Sequence, residues 1–288
     1  MTFNHVRQDK VNLLGLDSKD RIPIMLEDVW VDYAPSERIF KIMNNIAQAP
    51  KRITAPALLV GGTGGVGKSA IVKQIHRRVV NSDGLIFVNM SVDPDQLDQK
   101  RDLKTEIYKE LGIPLSSSRG RSGASGAVPQ DLIEVMNLRS KWGLVIDEFH
   151  DLLLVGKQEQ RVNGSMLKTL LSEPYGMKLF AFGAVGARRV LNAKSETKRR
   201  FTEVILGDWT ESEEFRSFLL GLEQCLPLRE PSKLYEKKLT QLILVSTAGR
   251  MDKVIDLVRS AGCYALSSGK EYIDEACLIA AAADPWGF

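Results

Sequence analysis

The stretch ALLVGGTGGVGKSAIVKQIHRRV, residues 57–79, decides how the rest of the chain is read. Its apolar opening, Ala57 to Gly61, predicts a buried strand, and Ile71, Val72, Ile75 and Val79 recur at helical spacing. Between them Gly62 to Ser69 reads GTGGVGKS, which fits G-x-x-x-x-G-K-[ST] at every position. Gly62, Gly64, Gly65 and Gly67 let the backbone come close to phosphates and turn its N–H groups inward, and the following helix adds its dipole. Lys68 is placed to reach the β- and γ-phosphates and the Ser69 hydroxyl to ligate Mg²⁺. The expected nucleotide cradle is therefore Gly62, Thr63, Gly64, Gly65, Val66, Gly67, Lys68, Ser69 and Ala70.

Outward from the loop, four more short apolar runs predict strands: Leu85 to Met90, Gly143 to Ile146, Lys178 to Gly183 and Phe201 to Leu206. Helical patterns alternate with them, the signature of a parallel sheet covered by helices. The third strand runs into Asp147 and Glu148, and in open α/β sheets ligands sit at that carboxyl edge. Asp147 suits a Mg²⁺ held through water, and Glu148 suits the general base that polarises an attacking water. Together with the loop, the pair points to nucleotide hydrolysis. His150 completes a DEFH tetrad and reads as a local hydrogen-bonding residue at the start of the next helix. His76 reads as part of a solvated helix face.

After Asp208 the strand patterns stop. Helices are expected over Glu211 to Leu226, Ser232 to Ser246, Met251 to Ser267 and Tyr272 to Ala283. The predicted domains are a polar N-terminal arm (1–28), an α/β nucleotide-binding core (29–208) and an all-α lid (209–288). Residues 116–127, rich in Ser and Gly, read as a loop carrying Arg119 and Arg121.

Composition narrows the class. At 288 residues, 44% hydrophobic and 26% charged, the chain is long enough for one large domain or two small ones and is not disordered. The longest apolar run, Ala276 to Ala283, is far too short for a bilayer and the N-terminus lacks a signal core, so a cytoplasmic protein with no membrane partner is expected. Cys225, Cys263 and Cys277 lie in apolar helical patterns and read as buried thiols. A net charge of +3 is too small to argue for nucleic acid. Its distribution says more. Residues 186–200 carry six bases against Glu196, whereas residues 201–214 carry five acids and no base, opposed blocks that suit phosphates on one side and self-association on the other.

The sequence resembles the AAA+ ATPases, and among them the TniB/TnsC group of transposition regulators, relatives of the MuB and IstB type helpers. The resemblance rests on Leu26 to Ile46, the GTGGVGKS loop, LVIDEFHDLLL (Leu144 to Leu154), Met166 to Leu191, and KRRF (Lys198 to Phe201). It implies a P-loop NTPase of the ASCE type, a parallel five-stranded sheet with helices on both faces, followed by a small all-α lid. It further implies an ATPase using ATP and Mg²⁺ that assembles on duplex DNA without sequence preference, as a hexameric or heptameric ring or a helical filament. Such an assembly links a target-selection protein of the TniQ type to a DDE transposase, and hydrolysis drives disassembly.

By position, the resemblance makes Arg199 or Arg200 the arginine finger and Arg250, or Lys253, the lid residue that senses the γ-phosphate. Trp30 and Tyr33 fall in a stretch that in the family borders the adenine. Lys100, Arg101, Lys104, Arg119 and Arg121 become candidates for DNA backbone contacts, which neutralise phosphates without reading sequence. One position departs from the pattern. The end of the fourth strand offers a polar side chain in the family, and here it reads Phe182-Gly183-Ala184-Val185-Gly186, from which slow turnover is expected. Two other readings share the motifs: a replication initiator or helicase loader, and a signalling P-loop switch that never touches DNA.

Overall fold

The computed structural model describes residues 5–91, 102–114, 128–153, 156–187 and 201–288. Along the chain, α1 (Ser18–Met25) and α2 (Ala34–Gln48) precede β1 (Ala57–Gly62), and α3 (Lys68–Arg78) leads to β2 (Leu85–Asn89). Then α4 (Leu103–Glu110) and α5 (Gln130–Leu138) come before β3 (Gly143–Asp147), and α6 (Lys157–Leu170) before β4 (Lys178–Gly183). After β5 (Phe201–Leu206) follow α7 (Glu213–Glu223), α8 (Lys237–Thr247), α9 (Met251–Ser267) and α10 (Glu275–Ala283). Chain contacts divide these into two compact units. One comprises Arg38–Gly64 and Lys68–Leu206; the other comprises Met1–Glu37, Gly65–Gly67 and Gly207–Phe288.

The first unit is built on a five-stranded sheet in the order β2-β3-β4-β1-β5, with every neighbouring pair parallel. Strands of a parallel sheet are buried on both faces, and β1 and β4 are buried at every residue. Ala57, Leu59, Leu144, Ile146, Leu179 and Ala181 share one core with residues of α4, α5 and α6, among them Ile107, Leu132 and Leu170. Leu58, Val60, Phe180 and Phe182 alternate with them, point the other way and are equally buried. Both faces of the sheet are thus covered. The order has one consequence for the site: β4 lies between the strand that precedes the glycine loop and the strand that ends in Asp147, so the tip of β4 separates the two motifs.

The second unit is helical, with α9 packed on α1, α8 and α10. Gly262 lets α1 come close, because a Cβ there would stand 2.7 Å from Met25 Sδ. The expected polar arm does not match this picture. Residues 8–15 form a 3₁₀ turn and 18–25 form α1, and Leu14, Arg21 and Met25 are buried. Arg21, with no exposed surface, donates to Glu271 Oε1 at 2.6 Å, Glu271 Oε2 at 2.8 Å and Pro227 O at 2.8 Å. A polar composition concealed an ion pair made 250 residues away.

Three expected helices begin later than their apolar pattern. Ser212 caps the N–H of Phe215, so α7 starts at Glu213, and Asp274 caps that of Cys277, so α10 starts at Glu275. Before α8, the buried Glu223 carboxylate accepts from the N–H groups of Ser232, Lys233 and Leu234, which holds that stretch as a loop. All three cysteines are free and buried, as the pattern predicts.

Candidate functional site

In the loop after β1, Gly65 and Gly67 have φ of 82° and 88°, a conformation that glycine adopts without strain and that turns successive N–H groups to one side. Val66, 2% exposed, anchors the loop in the core, while Thr63, Gly64, Ser69 and Ala70 are exposed. Helix α3 begins at Lys68, so the N–H groups of its first turn are available to an anion. Lys68 is 8% exposed, and its Nζ donates to Gly62 O at 3.0 Å and Thr63 O at 2.8 Å. These acceptors are neutral, and among the described residues Lys68 forms no ion pair. A buried cation without a counter-charge fits a polyphosphate.

The carboxylates lie at the end of β3. Asp147 is half-buried, and its Oδ1 accepts from the N–H of Glu148 at 2.9 Å. Glu148 has φ of 50°, an unusual conformation for a side chain with a Cβ and one that clusters at functional positions. Its Oε2 lies 3.2 Å from His150 Nδ1. The imidazole lies at the start of the next helical element, a 3₁₀ helix, Phe149–Leu153. It also accepts from the N–H of Ala184 at 3.3 Å, and its Nε2 lies 3.4 Å from Asp151 Oδ1. His76, expected on a solvated helix face, is exposed and stacks on Phe87 with centroids 4.2 Å apart.

Among the described residues no group of three or more His, Cys, Asp or Glu is arranged to hold a metal ion. A Mg²⁺ held by Ser69, by Asp147 through water and by phosphate oxygens needs none. The donor set, the glycine cradle and the uncompensated Lys68 fit ATP with Mg²⁺.

In the helical unit, which includes Gly65–Gly67, Asp252 N–H donates to Gly65 O at 3.0 Å. Arg250 donates to the Asp252 carboxylate at 2.8 Å and so stands one residue removed from a contact with the loop. Lys253 N–H also donates to Asp252. The sequence gives no sign of Asp252, since an acid at a helix start reads as a partner of the helix dipole. Tyr33, 8% exposed, has a hydroxyl without a hydrogen-bond partner, 3.7 Å from where a Cβ on Gly67 would stand. Its ring packs edge-on against Trp209 and Phe218, and burial holds its hydroxyl well above the usual tyrosine range. Trp30 donates to Asp32. Lys104 lies over the ring of the buried Tyr108, 5.5 Å from its centroid. Lys100, Arg101, Arg119, Arg121, Arg199 and Arg200 lie outside the described residues.

The profile of the bacterial TniB protein family matches residues 21–211, about two thirds of the chain. The chain belongs to the TniB family. Among curated proteins, this TniB family member is similar to the chaperone protein ClpB of Clostridium tetani, 26% identical over 78% of the chain and 25% of that protein. It is also 27% identical to ClpB of Enterococcus faecalis over 69% of the chain and 22% of that protein. The chain thus spans about a quarter of the length of the curated relatives it matches. Among solved structures, the Aeropyrum pernix ORC2 protein in its ADPNP-ADP complexes superposes with a TM-score of 0.62 at 16% identity, covering 92% of this chain and 71% of that one. The Thermotoga maritima RuvB Holliday junction branch migration motor superposes at 0.52 and 13%, covering 92% and 76%. At such identities the likeness is one of fold, and the fold is that of an AAA+ P-loop ATPase. No helix among the described residues is long and apolar enough to cross a membrane.

Proposed function

We propose that this chain is an ATPase that assembles on duplex DNA in its ATP-bound state and regulates transposition. The observation that carries the enzymatic half is Lys68, a buried ammonium held by two carbonyls and no carboxylate, on the same sheet edge as Asp147 and Glu148. Family membership carries the transposition half, and ORC of Drosophila, whose solved structure is of the complex bound to DNA, shares the fold at a TM-score of 0.54 and 14% identity.

ATP and Mg²⁺ supply the transferable phosphoryl group and the charge that neutralises its oxygens. In this reading Lys68 exchanges Gly62 O and Thr63 O for phosphate oxygens, and the N–H groups of the loop and of the first turn of α3 orient them. Ser69 and Asp147 fix the metal. Glu148 accepts the proton of the attacking water. Arg199 or Arg200 acts in trans from a neighbouring copy, and Arg250 senses the nucleotide once it leaves Asp252. Lys100, Arg101, Lys104, Arg119 and Arg121 meet the DNA backbone; Lys104 can do so only by giving up its place over Tyr108.

Glu148→Gln tests this reading. It is expected to bind ATP as the parent does, to hydrolyse it at least about a hundredfold more slowly, and to remain assembled on duplex DNA in electron micrographs. Faster disassembly than the parent contradicts it. ATP-dependent assemblies on plain duplex DNA exclude a switch that ignores DNA. Capture of a replicative helicase rather than a transposase, in a pull-down from the native host, favours a helicase loader.

A further inference from the structure

The tip of β4 lacks the polar side chain that would help to orient the lytic water, and the structure shows what stands there. A Cβ on Gly183 would lie 3.5 Å from His150 Nδ1 and 3.3 Å from the N–H nitrogen of His150. The imidazole therefore stands within contact distance of the strand end, where a Cβ at 183 would be tightest against Ala187 Cβ, at 3.0 Å. From that place the ring reaches three elements: Glu148 at the end of β3 (3.2 Å), Asp151 in the 3₁₀ turn (3.4 Å) and Ala184 after β4 (3.3 Å). The left-handed conformation of Glu148 turns the chain so that residues 148 and 150 face each other.

We propose that His150 is the positioning residue for Glu148, taking the place of the polar side chain absent from β4. The proposal rests on the reading of Glu148 as the base. Nδ1 has one site for two neighbours, because an imidazole nitrogen can accept or donate but not both at once. It either accepts from Ala184 N–H, which ties the ring to β4, or donates to Glu148, which fixes one carboxylate oxygen and leaves the other for water. When Nδ1 accepts, Nε2 carries the ring's hydrogen and can donate to Asp151; when Nδ1 donates to Glu148, the hydrogen has moved to Nδ1 and the Asp151 hydrogen bond is given up. Partners of this kind, one shell out from the reacting atoms, are worth about ten- to a hundredfold in activity at the metal sites where they are measured. The slow turnover expected from the bare sequence of β4 thus becomes a property of a His150 variant rather than of the parent.

The test is ATP hydrolysis by the full chain with Mg²⁺ and duplex DNA, alongside titration with a fluorescent ATP analogue. His150→Ala is expected to lower kcat about tenfold or more while KM and nucleotide affinity stay within about twofold. His150→Asn, whose amide falls near the Nδ1 position, restores most of the rate; His150→Gln, whose amide falls near Nε2, does not. If the alanine variant fails to fold, the Asn and Gln variants carry the test. A His150→Ala rate within twofold of the parent overturns the proposal, as does a loss that Asn and Gln restore equally. Glu148→Gln, run beside them, separates the two claims. If it hydrolyses at the parent rate, the base assignment has failed; if it is inactive while His150→Ala is normal, only the positioning role has.

Discussion

Both units bury charge, and they treat it differently. In the helical unit Arg21, fully buried, meets Glu271 through two hydrogen bonds and a carbonyl besides, and Glu223 is saturated by three backbone N–H groups. Each of these charges is answered within the fold. In the α/β unit Lys68 meets two neutral carbonyls. Lys178, at the opposite end of the sheet, also meets two carbonyls, of Ala47 and Ala49, but a Trp142 ring lies 5.4 Å from its ammonium as well. Burial lowers its affinity for a proton. The difference between the two lysines is surroundings. Lys178 is enclosed by partners that satisfy it, whereas Lys68 stands at the start of a helix beside two glycines with positive φ, a setting that suits an anion.

This contrast can be broken by substitution. Arg21→Ala leaves a partly buried Glu271 without its main partner and should destabilise the helical unit by about 3–5 kcal/mol, read from denaturant unfolding. A loss below about 1 kcal/mol would make the pair an ornament of the surface. Lys68→Ala should do the reverse: nucleotide affinity falls about a hundredfold, roughly 2.7 kcal/mol, with the unfolding midpoint in the absence of nucleotide unchanged or raised. A large drop in that midpoint would assign Lys68 to the fold instead of to the ligand.

Smaller effects sharpen the same line. Gly65→Ala forces a Cβ into an unfavourable φ and to within 2.4 Å of the Asp252 carboxyl, and should cost about 1–2 kcal/mol of stability; a neutral result would show that Asp252 moves away freely. Hydrogen bonds from Arg21, more than offsetting burial, hold the Glu271 carboxyl below its ordinary range. A depressed carboxylate contributes stability above its unfolded value and loses it as pH falls through the folded one. The parent should therefore lose more stability between pH 5 and pH 3 than Glu271→Gln, in paired unfolding curves. Finally, burial raises the thiols of Cys225, Cys263 and Cys277, that of Cys263 to about 11, so none should react with a thiol reagent at pH 8 until the chain unfolds.

The parts of this molecule that sequence made legible are those set by local physics. The five strands were found to within about a residue because each is a short run rich in apolar residues, Lys178, Thr202 and Glu203 notwithstanding, and the candidates Lys68 and Ser69 followed from the spacing of the loop, Asp147 and Glu148 from the acidic end of the third strand. What stayed hidden depends on residues far apart in the chain. The polarity of residues 1–28 gave no hint that Arg21 finds Glu271, or that α1 packs on α9. His150 was visible as the fourth letter of DEFH, but its value lies in Ala184, 34 residues on, and no periodicity joins those two. Asp252 is hidden for the same reason: its partner, Gly65, is nearly two hundred residues earlier.

The most direct measurement of the central claim, that the charge left open at Lys68 couples ATP to assembly on DNA, is negative-stain microscopy of the parent and of Lys68→Ala on one duplex, with and without ATP. Ordered assemblies are expected for the parent only when ATP is present, and none for the variant in either condition. Assemblies of equal number and form on the variant, or on the parent without nucleotide, would contradict it.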